Sequence, residues 1–138
     1  MEWIVTTEEE TASVADKIAP LLQDGDIVAL QGSLGVGKTT FVRYLVKSLT
    51  KSDVDVPSPT FTLLQTYDTP RLTIYHFDFY RLKSPEEAYE VGIEDAFDNG
   101  VSLIEWPDKI GNLLPKKHKE ILFEILPNNK RKITTKGF

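Results

Sequence analysis

Apolar residues in this chain fall into two patterns, short continuous runs and longer stripes with helical spacing. Apolar runs occupy residues 27–30, between Asp26 and Gln31, and residues 101–104, which are interrupted only by Ser102 and are followed by Glu105. A short apolar run bounded by polar residues is typical of a strand buried on both faces. Helical spacing follows at Phe41, Val42, Leu45, Val46 and Leu49. The pattern predicts a strand at 27–30, then a glycine-rich segment, then an amphipathic helix.

The N-terminal segment carries the signals of a helix start. Residues 3–5 suit a short edge strand, and Thr7 and Glu10 stand at the spacing of a capping box. In that motif the threonine hydroxyl accepts from the amide three residues later. The apolar positions that follow predict a helix over residues 7–23, with Gly25 as its C-cap.

The middle of the chain is predicted to form a loop and, further on, a short helical region. Residues 56–60 contain two prolines, which predicts a loop because proline removes backbone donors. Ser84 as N-cap and Pro85 at the first helical position predict a helix that ends at Gly92. A further turn of helix is expected over residues 93–97.

Two pairs of strands are predicted from alternating or apolar segments joined by turn residues. The first pair comprises residues 61–67 and 72–80 around the turn 68–71, and the second comprises 121–126 and 131–135 around 127–129. The first pair is expected to form an antiparallel hairpin.

Length and charge exclude several function classes. The chain has 138 residues, the size of one domain, and 16 basic against 21 acidic residues give a net charge of −5. Such an acidic chain is a poor default binder of nucleic acid, whose phosphates require clustered Lys and Arg. The absence of cysteine excludes disulfides and thiolate chemistry. No signal peptide or membrane span is visible, so we expect a cytoplasmic protein with no membrane association.

The glycine-rich segment after the first buried strand matches the phosphate-binding pattern G-x-x-x-x-G-K-[ST] at every fixed position. It comprises Gly32, Ser33, Leu34, Gly35, Val36, Gly37, Lys38 and Thr39. Glycines let successive amides point inward as an anion cradle, and the following helix adds its positive N-terminal end. Lys38 can then reach the β- and γ-phosphates, and the Thr39 hydroxyl can ligate Mg²⁺. A chance match is disfavoured by the strand before the motif and the helix after it.

A phosphate-binding loop needs an acid near Mg²⁺, and two candidates close apolar strands. Asp78 ends one strand and Glu105 another, and either could bind the metal while the other orients or deprotonates the attacking water. His76 shares a strand face with Asp78, so it could orient an acid or the water, although such histidines are commonly core groups. Thr60 could contact Mg²⁺ or the γ-phosphate, or only form a turn. Trp106 is expected to pack in the core or to face a partner.

Several motifs together resemble the TsaE family, also called YjeE, small bacterial ATPases needed to make threonylcarbamoyladenosine in tRNA. The stretches that carry the resemblance are GSLGVGKTT (32–40), SPTFTL (58–63), HFDFYRL (76–82), VGI (91–93) and EWP (105–107). The resemblance implies an α/β fold, a single P-loop NTPase-like domain over residues 1–138 with a mixed parallel and antiparallel sheet flanked by helices. It also implies ATP and Mg²⁺ as cofactors and a TsaD–TsaB complex as partner, with tRNA reached only indirectly.

The same resemblance implies roles for individual residues. It places Lys38 on phosphate, Thr39 and Glu105 on Mg²⁺, and Asp78 as a catalytic acid that is also counted among the metal-binding residues. Lys38 and Glu105 are counted with Asp78 as catalytic. Thr40 and Thr60 fall on matched motif positions, and Glu8 and Arg131 lie where the family contacts the nucleotide.

Two alternatives to a partner-dependent ATPase remain at this stage. One is a nucleotide-gated binding module in which hydrolysis is incidental. The other is a small-molecule kinase, although residues 83–111 contain no cluster of arginines for an acceptor lid. Of the arginines near the motifs, Arg81 is a better candidate than Arg43 to reach the γ-phosphate from within the chain.

Overall fold

A computed structural model describes residues 1–33, 35–51 and 62–138 of the chain. Leu34, Thr60, Phe61 and the predicted loop at 56–60 lie outside the described residues. The strands are β1 (Glu2–Val5), β2 (Ile27–Gln31), β3 (Leu64–Asp68), β4 (Thr73–Asp78), β5 (Val101–Glu105), β6 (Lys119–Leu126) and β7 (Lys130–Lys136). The α-helices are α1 (Glu8–Ile18), α2 (Lys38–Thr50), α3 (Glu87–Glu90) and α4 (Ile93–Asn99), and Ala19–Leu21 and Pro107–Leu113 are 3₁₀ turns.

The strands form one seven-stranded sheet in the order β1-β7-β6-β2-β5-β4-β3. Its centre is parallel, since β2 pairs in parallel with both β5 and β6, and β5 pairs in parallel with β4. Both flanks are antiparallel, through the hairpins β3–β4 and β6–β7 and the edge strand β1 beside β7. The mixed sheet and both hairpins predicted from the sequence are therefore confirmed. The carboxyl ends of β2, β4 and β5 meet at one edge, where ligands bind in open α/β sheets.

Alternating side chains of the central strands build a core on each face of the sheet. On one face, Val28 and Leu103 pack in the cluster that contains the buried residues of α1 and α2. On the other, Ile27 and Ile104 pack in the cluster that contains buried residues of α3 and α4. Burial on both faces explains why residues 27–30 of β2 are all apolar and why residues 101–104 of β5 are apolar except for Ser102. None of the helices in the described ranges is long and apolar enough to cross a membrane.

The first helix is shorter than predicted. The Thr7 hydroxyl accepts from the Glu10 amide at 3.2 Å, as expected for the cap, but α1 ends at Ile18 instead of continuing to residue 23. Pro20 is the reason, because it has no N–H to donate and its ring clashes with the carbonyl four residues earlier. The chain tightens into a 3₁₀ turn over Ala19–Leu21. Gly25 is thus not a helix cap; it has φ 91° in the turn before β2.

The predicted helix start at Ser84 and Pro85 is also displaced. Helix α3 begins at Glu87, after turns in which the Glu87 and Ala88 amides donate to the Ser84 and Pro85 carbonyls. The Glu87 carboxylate accepts from the Lys83 and Ser84 amides at 2.8 and 3.0 Å, so the acid caps the segment rather than the serine. The helix ends before Gly92, as predicted, and α4 covers the expected short turn.

Candidate nucleotide and magnesium site

The glycine-rich loop connects the buried end of β2 to the first turn of α2, in the strand–loop–helix arrangement that the motif requires. Within it the Val36 amide donates to the Ser33 carbonyl at 3.2 Å, and Gly37 in the left-handed conformation leads into the helix. The first amides of α2 have no partner within the helix and form a positive end. Gly32 has φ 151°, and an added Cβ would lie 2.8 Å from the Phe123 carbonyl oxygen. The loop therefore passes too close to β6 for any side chain at this position.

Lys38 lies inside the site rather than in solvent. Its side chain donates to the Gly32 carbonyl at 2.7 Å, and Nζ lies 3.9 Å from the centroid of the Trp106 ring. The residue is only 4% exposed. Burial lowers the pKa of the Lys38 ammonium below its ordinary value of 10.5, while the negative charges of Glu105, Asp78 and Asp108 oppose that shift. Such a desolvated cation is suited to meet a polyanion.

Trp106 is held over Lys38 by an unusual backbone conformation. The residue directly follows β5 and has φ 58° and ψ 55°, in the left-handed region. For a bulky residue this conformation is strained and points to a functional constraint. Its ring also contacts that of Tyr80, with centroids 4.9 Å apart. The expectation of a packing or partner-facing aromatic stays open, but the structure adds a direct contact with the lysine of the loop.

The two predicted acids lie side by side. Asp78 and Glu105 are in register at the ends of β4 and β5 and are 4% and 3% exposed. The Thr39 hydroxyl donates to Glu105 Oε2 at 3.0 Å, while Asp78 Oδ1 accepts from the Tyr80 amide at 2.9 Å. A hydroxyl and two carboxylates are hard oxygen donors, and Mg²⁺ in phosphate sites takes one or two carboxylates with phosphate and water. The residues present therefore fit Mg²⁺ bound together with a nucleotide.

Within the described part of the chain, no group of three or more His, Asp or Glu residues could hold a metal ion by itself. The site has one acid bonded to Thr39 and one beside it. A metal held partly by the phosphates of its ligand matches that donor set better than a cage built only from protein side chains.

His76 pairs with Glu105 rather than with Asp78. It is fully buried, and its Nε2 lies 2.6 Å from Glu105 Oε2. The sequence had placed the histidine on the face of Asp78, two residues away on the same strand. Because β4 and β5 are parallel and in register at Asp78 and Glu105, that same face also brings His76 to the neighbouring acid.

A cavity of about 360 Å³ lies on the other side of the loop, between the start of α1 and the β6–β7 turn. Its lining includes the predicted binding residues Glu8, Gly35, Val36, Gly37, Thr40 and Arg131. Residues that the sequence analysis did not assign to binding also line it, namely Val5, Thr6, Thr7, Thr11, Phe123, Asn129 and Ile133. Thr7 was seen only as a helix cap and Asn129 only as a turn residue, so no local signal marked them. The cavity therefore adjoins the glycine-rich loop and is lined by residues from both ends of the chain.

Polar contacts organise the rim of this cavity. The Glu8 carboxylate accepts from the Tyr44 hydroxyl at 2.8 Å, and this hydrogen bond raises the pKa of Tyr44. Arg43, which is exposed, donates to the Thr40 hydroxyl at 3.3 Å. Arg81 is also exposed, in the segment after β4. Leu34 and Thr60 lie outside the described residues, so their predicted contacts stay predictions.

Comparison with known proteins identifies the family. A sequence model of the family described as "Threonylcarbamoyl adenosine biosynthesis protein TsaE" matches residues 5–133. The chain belongs to the TsaE family. A TsaE from Rickettsia bellii is 48% identical over 128 residues, covering 93% of this chain and 89% of that protein. A TsaE from Bacillus subtilis is 34% identical over 135 residues, covering 97% and 84%. Both carry the name "tRNA threonylcarbamoyladenosine biosynthesis protein TsaE".

A solved structure shares the fold of this chain. A crystal structure of Bacillus subtilis YdiB superposes with a TM-score of 0.82 at 31% identity, covering 98% of this chain and 83% of that one. The resemblance drawn from the motifs is confirmed, and so is the predicted α/β fold class with its mixed sheet.

Proposed function

We propose that this protein binds and hydrolyses ATP as the Mg²⁺-dependent component of the machinery that forms N6-threonylcarbamoyladenosine in tRNA. The observation that carries the proposal is the convergence of Lys38, Thr39, Asp78 and Glu105 at one sheet edge. The relatives' names, which refer to biosynthesis of threonylcarbamoyladenosine in tRNA, support the pathway. The partner is a TsaD–TsaB complex, and tRNA is contacted only through it.

Each group has a distinct task in hydrolysis. Lys38 exchanges its bond to the Gly32 carbonyl for the β- and γ-phosphates, and the loop amides bind the remaining oxygens. Thr39 and Glu105 hold Mg²⁺, which neutralises charge on the triphosphate when bound. Asp78, beside Glu105, orients the attacking water and accepts its proton. The cavity lined by Glu8, Thr40 and Arg131 receives the base and ribose.

The proposal is tested by ATP turnover of the purified protein, alone and with TsaB and TsaD added. We expect slow turnover alone and faster turnover with the partners, because the motif segments contain no obvious arginine finger: Arg81, the better candidate within the chain, is exposed in the segment after β4. Turnover that does not change with the partners would refute the machine-component role.

Two substitutions with matched controls separate binding from chemistry. Lys38→Ala should weaken ATP affinity, with Lys17→Ala on the exposed surface of α1 as control. Asp78→Asn should reduce turnover more than affinity, with exposed Asp98→Asn as control. Equal loss of turnover and affinity in Asp78→Asn would move Asp78 to a structural or metal-binding role.

A second candidate is a nucleotide-gated binding module, and one contact favours it. Lys38 touches Trp106, whose ring contacts Tyr80, and Tyr80 is 39% exposed. When Lys38 moves to phosphate, Trp106 loses its contact with the ammonium group. The Trp106–Tyr80 pair can then rearrange and change the surface that a partner contacts. This candidate would be favoured if ATP and a non-hydrolysable analogue supported partner binding equally. Hydrolysis would then also have no effect on turnover of the complex. Among the described residues, no observation favours the kinase.

A further inference from the structure

One oxygen of Glu105 receives two hydrogen bonds from two different elements. Glu105 Oε2 lies 3.0 Å from the Thr39 hydroxyl on α2 and 2.6 Å from His76 Nε2 on β4. All three side chains lie at the predicted Mg²⁺ site, and His76 is fully buried. The other oxygen, Oε1, accepts no hydrogen bond from the residues that the structure describes.

The hydrogen bonding of His76 is one-sided. A carboxylate can only accept, so Nε2 must carry the proton that it donates to Glu105. The opposite ring nitrogen, Nδ1, is buried and has no hydrogen-bond partner among the described residues. A core histidine kept for packing normally satisfies both nitrogens, because an unmade bond in the interior costs free energy. The ring of His76 instead makes its one hydrogen bond to Glu105.

We propose that His76 is a positioning residue that sets the orientation of the Glu105 carboxylate for Mg²⁺. By holding Oε2 together with Thr39, His76 leaves Oε1 as the oxygen available to the metal or to water bound on it. A carboxylate that is hydrogen-bonded to a buried donor has lost rotamer freedom before the metal binds. The entropic cost of ordering the carboxylate on metal binding is therefore lower. The inference rests on the proposed Mg²⁺–nucleotide function and goes beyond it by assigning the group that orients the metal ligand.

Two amide substitutions distinguish loss of the hydrogen-bond donor from loss of the packing of the ring. The amide nitrogen of His76→Gln can occupy the place of Nε2, whereas that of His76→Asn corresponds to Nδ1 and falls short of Glu105. Ser102→Ala is the control, since Ser102 is also fully buried, lies on β5, and its hydroxyl has no hydrogen-bond partner among the described residues. For each variant, affinity for a non-hydrolysable ATP analogue is measured by calorimetry in excess EDTA and in saturating Mg²⁺. The dissociation constant in EDTA divided by that in Mg²⁺ measures how much the metal strengthens binding of the analogue, separately from phosphate binding by the protein.

We expect His76→Asn to reduce this ratio by about tenfold, the usual scale for loss of a group that orients a metal ligand. Affinity in EDTA should stay close to wild type, and His76→Gln and Ser102→Ala should keep most of the coupling. Equal ratios in all four proteins would overturn the inference while leaving ATP binding intact. Loss of affinity by the same factor in EDTA and in Mg²⁺ would also overturn it. Failure of the wild type to bind the analogue at all would instead refute the proposed function.

A measurement on the wild type tests the same idea where a variant does not fold. The chain has only two histidines, so the ¹⁵N spectrum of histidine-labelled protein contains two imidazoles. His76 should show the tautomer with the proton on Nε2, and keep it when Mg²⁺ and the analogue are bound. His118 is the internal reference, because its Nδ1 lies 2.7 Å from the Pro115 carbonyl, which can only accept, while its Nε2 lies 3.3 Å from Glu120 Oε1. A His76 ring with its proton on Nδ1 alone would overturn the inference.

Discussion

Gly32→Ala tests how closely the phosphate-binding loop lies against the sheet. Gly32 has φ 151°, which residues with a side chain rarely adopt. An added Cβ would lie 2.8 Å from the Phe123 carbonyl oxygen and 2.9 Å from Val36 Cγ1. The first of these atoms belongs to the backbone of β6, a strand paired on both sides, so it cannot move away without disturbing the sheet.

Two costs add at this position. A non-glycine residue in a disfavoured backbone region costs roughly 1–3 kcal/mol, and overpacking against fixed atoms costs a further ~1–3 kcal/mol. Gly35→Ala is the matched control from the same loop. It has φ 77°, but an added Cβ would meet no atom within 4 Å, so only backbone strain of about 1–2 kcal/mol applies. The two variants should therefore differ by about 2 kcal/mol in the free energy of unfolding.

The assay is urea unfolding of both variants and the wild type without nucleotide. For a slope of about 2 kcal/mol per molar urea, the Gly32→Ala midpoint should lie about 1 M below that of Gly35→Ala. Equal midpoints would refute the reasoning, because the contact with Phe123 would then carry no cost. A changed slope would show that the variant altered the compactness of a state rather than its stability.

Three further predictions concern single side chains of the site and of α1. Lys38→Met should raise the thermal midpoint of the nucleotide-free protein at neutral pH. Because folding lowers the pKa of Lys38, the stability of the wild type rises with pH in the interval below 10.5. The stability advantage of the variant should therefore shrink in that interval, and an advantage independent of pH would contradict this reasoning. Thr39→Val should lose about 1.5–3 kcal/mol of unfolding free energy with the hydrogen bond to Glu105, whereas Thr39→Ser should lose much less, and similar losses would show that the hydroxyl bond is not the cause. Thr7→Ala should cost about 1 kcal/mol in urea unfolding by removing the cap on Glu10, and an unchanged midpoint would show that the cap is dispensable.

Local features of this protein could be read from its sequence because they depend on neighbours along the chain. The strand, glycine loop and helix around residues 27–50 are contiguous, so their order and spacing already define the anion cradle. The turn between β6 and β7 is also local, with Asn128 and Asn129 both in the left-handed conformation that asparagine tolerates. The early end of α1 at Pro20 was predictable by the same reasoning, since the missing donor is a property of one residue.

Only the tertiary structure decided which groups of the site meet. Asp78 and Glu105 both end apolar runs, and the sequence did not rank them; strand pairing and the position of α2 bring Glu105 to Thr39 and His76. Likewise, Glu8 and Arg131 come from opposite ends of the chain and line one cavity because α1 and β7 both lie beside the loop. Hydrophobic periodicity specifies which face of a strand is buried, but not which strand becomes its neighbour. That choice depends on packing between distant segments, which is why the orientation of the predicted metal ligand became visible only in the folded protein.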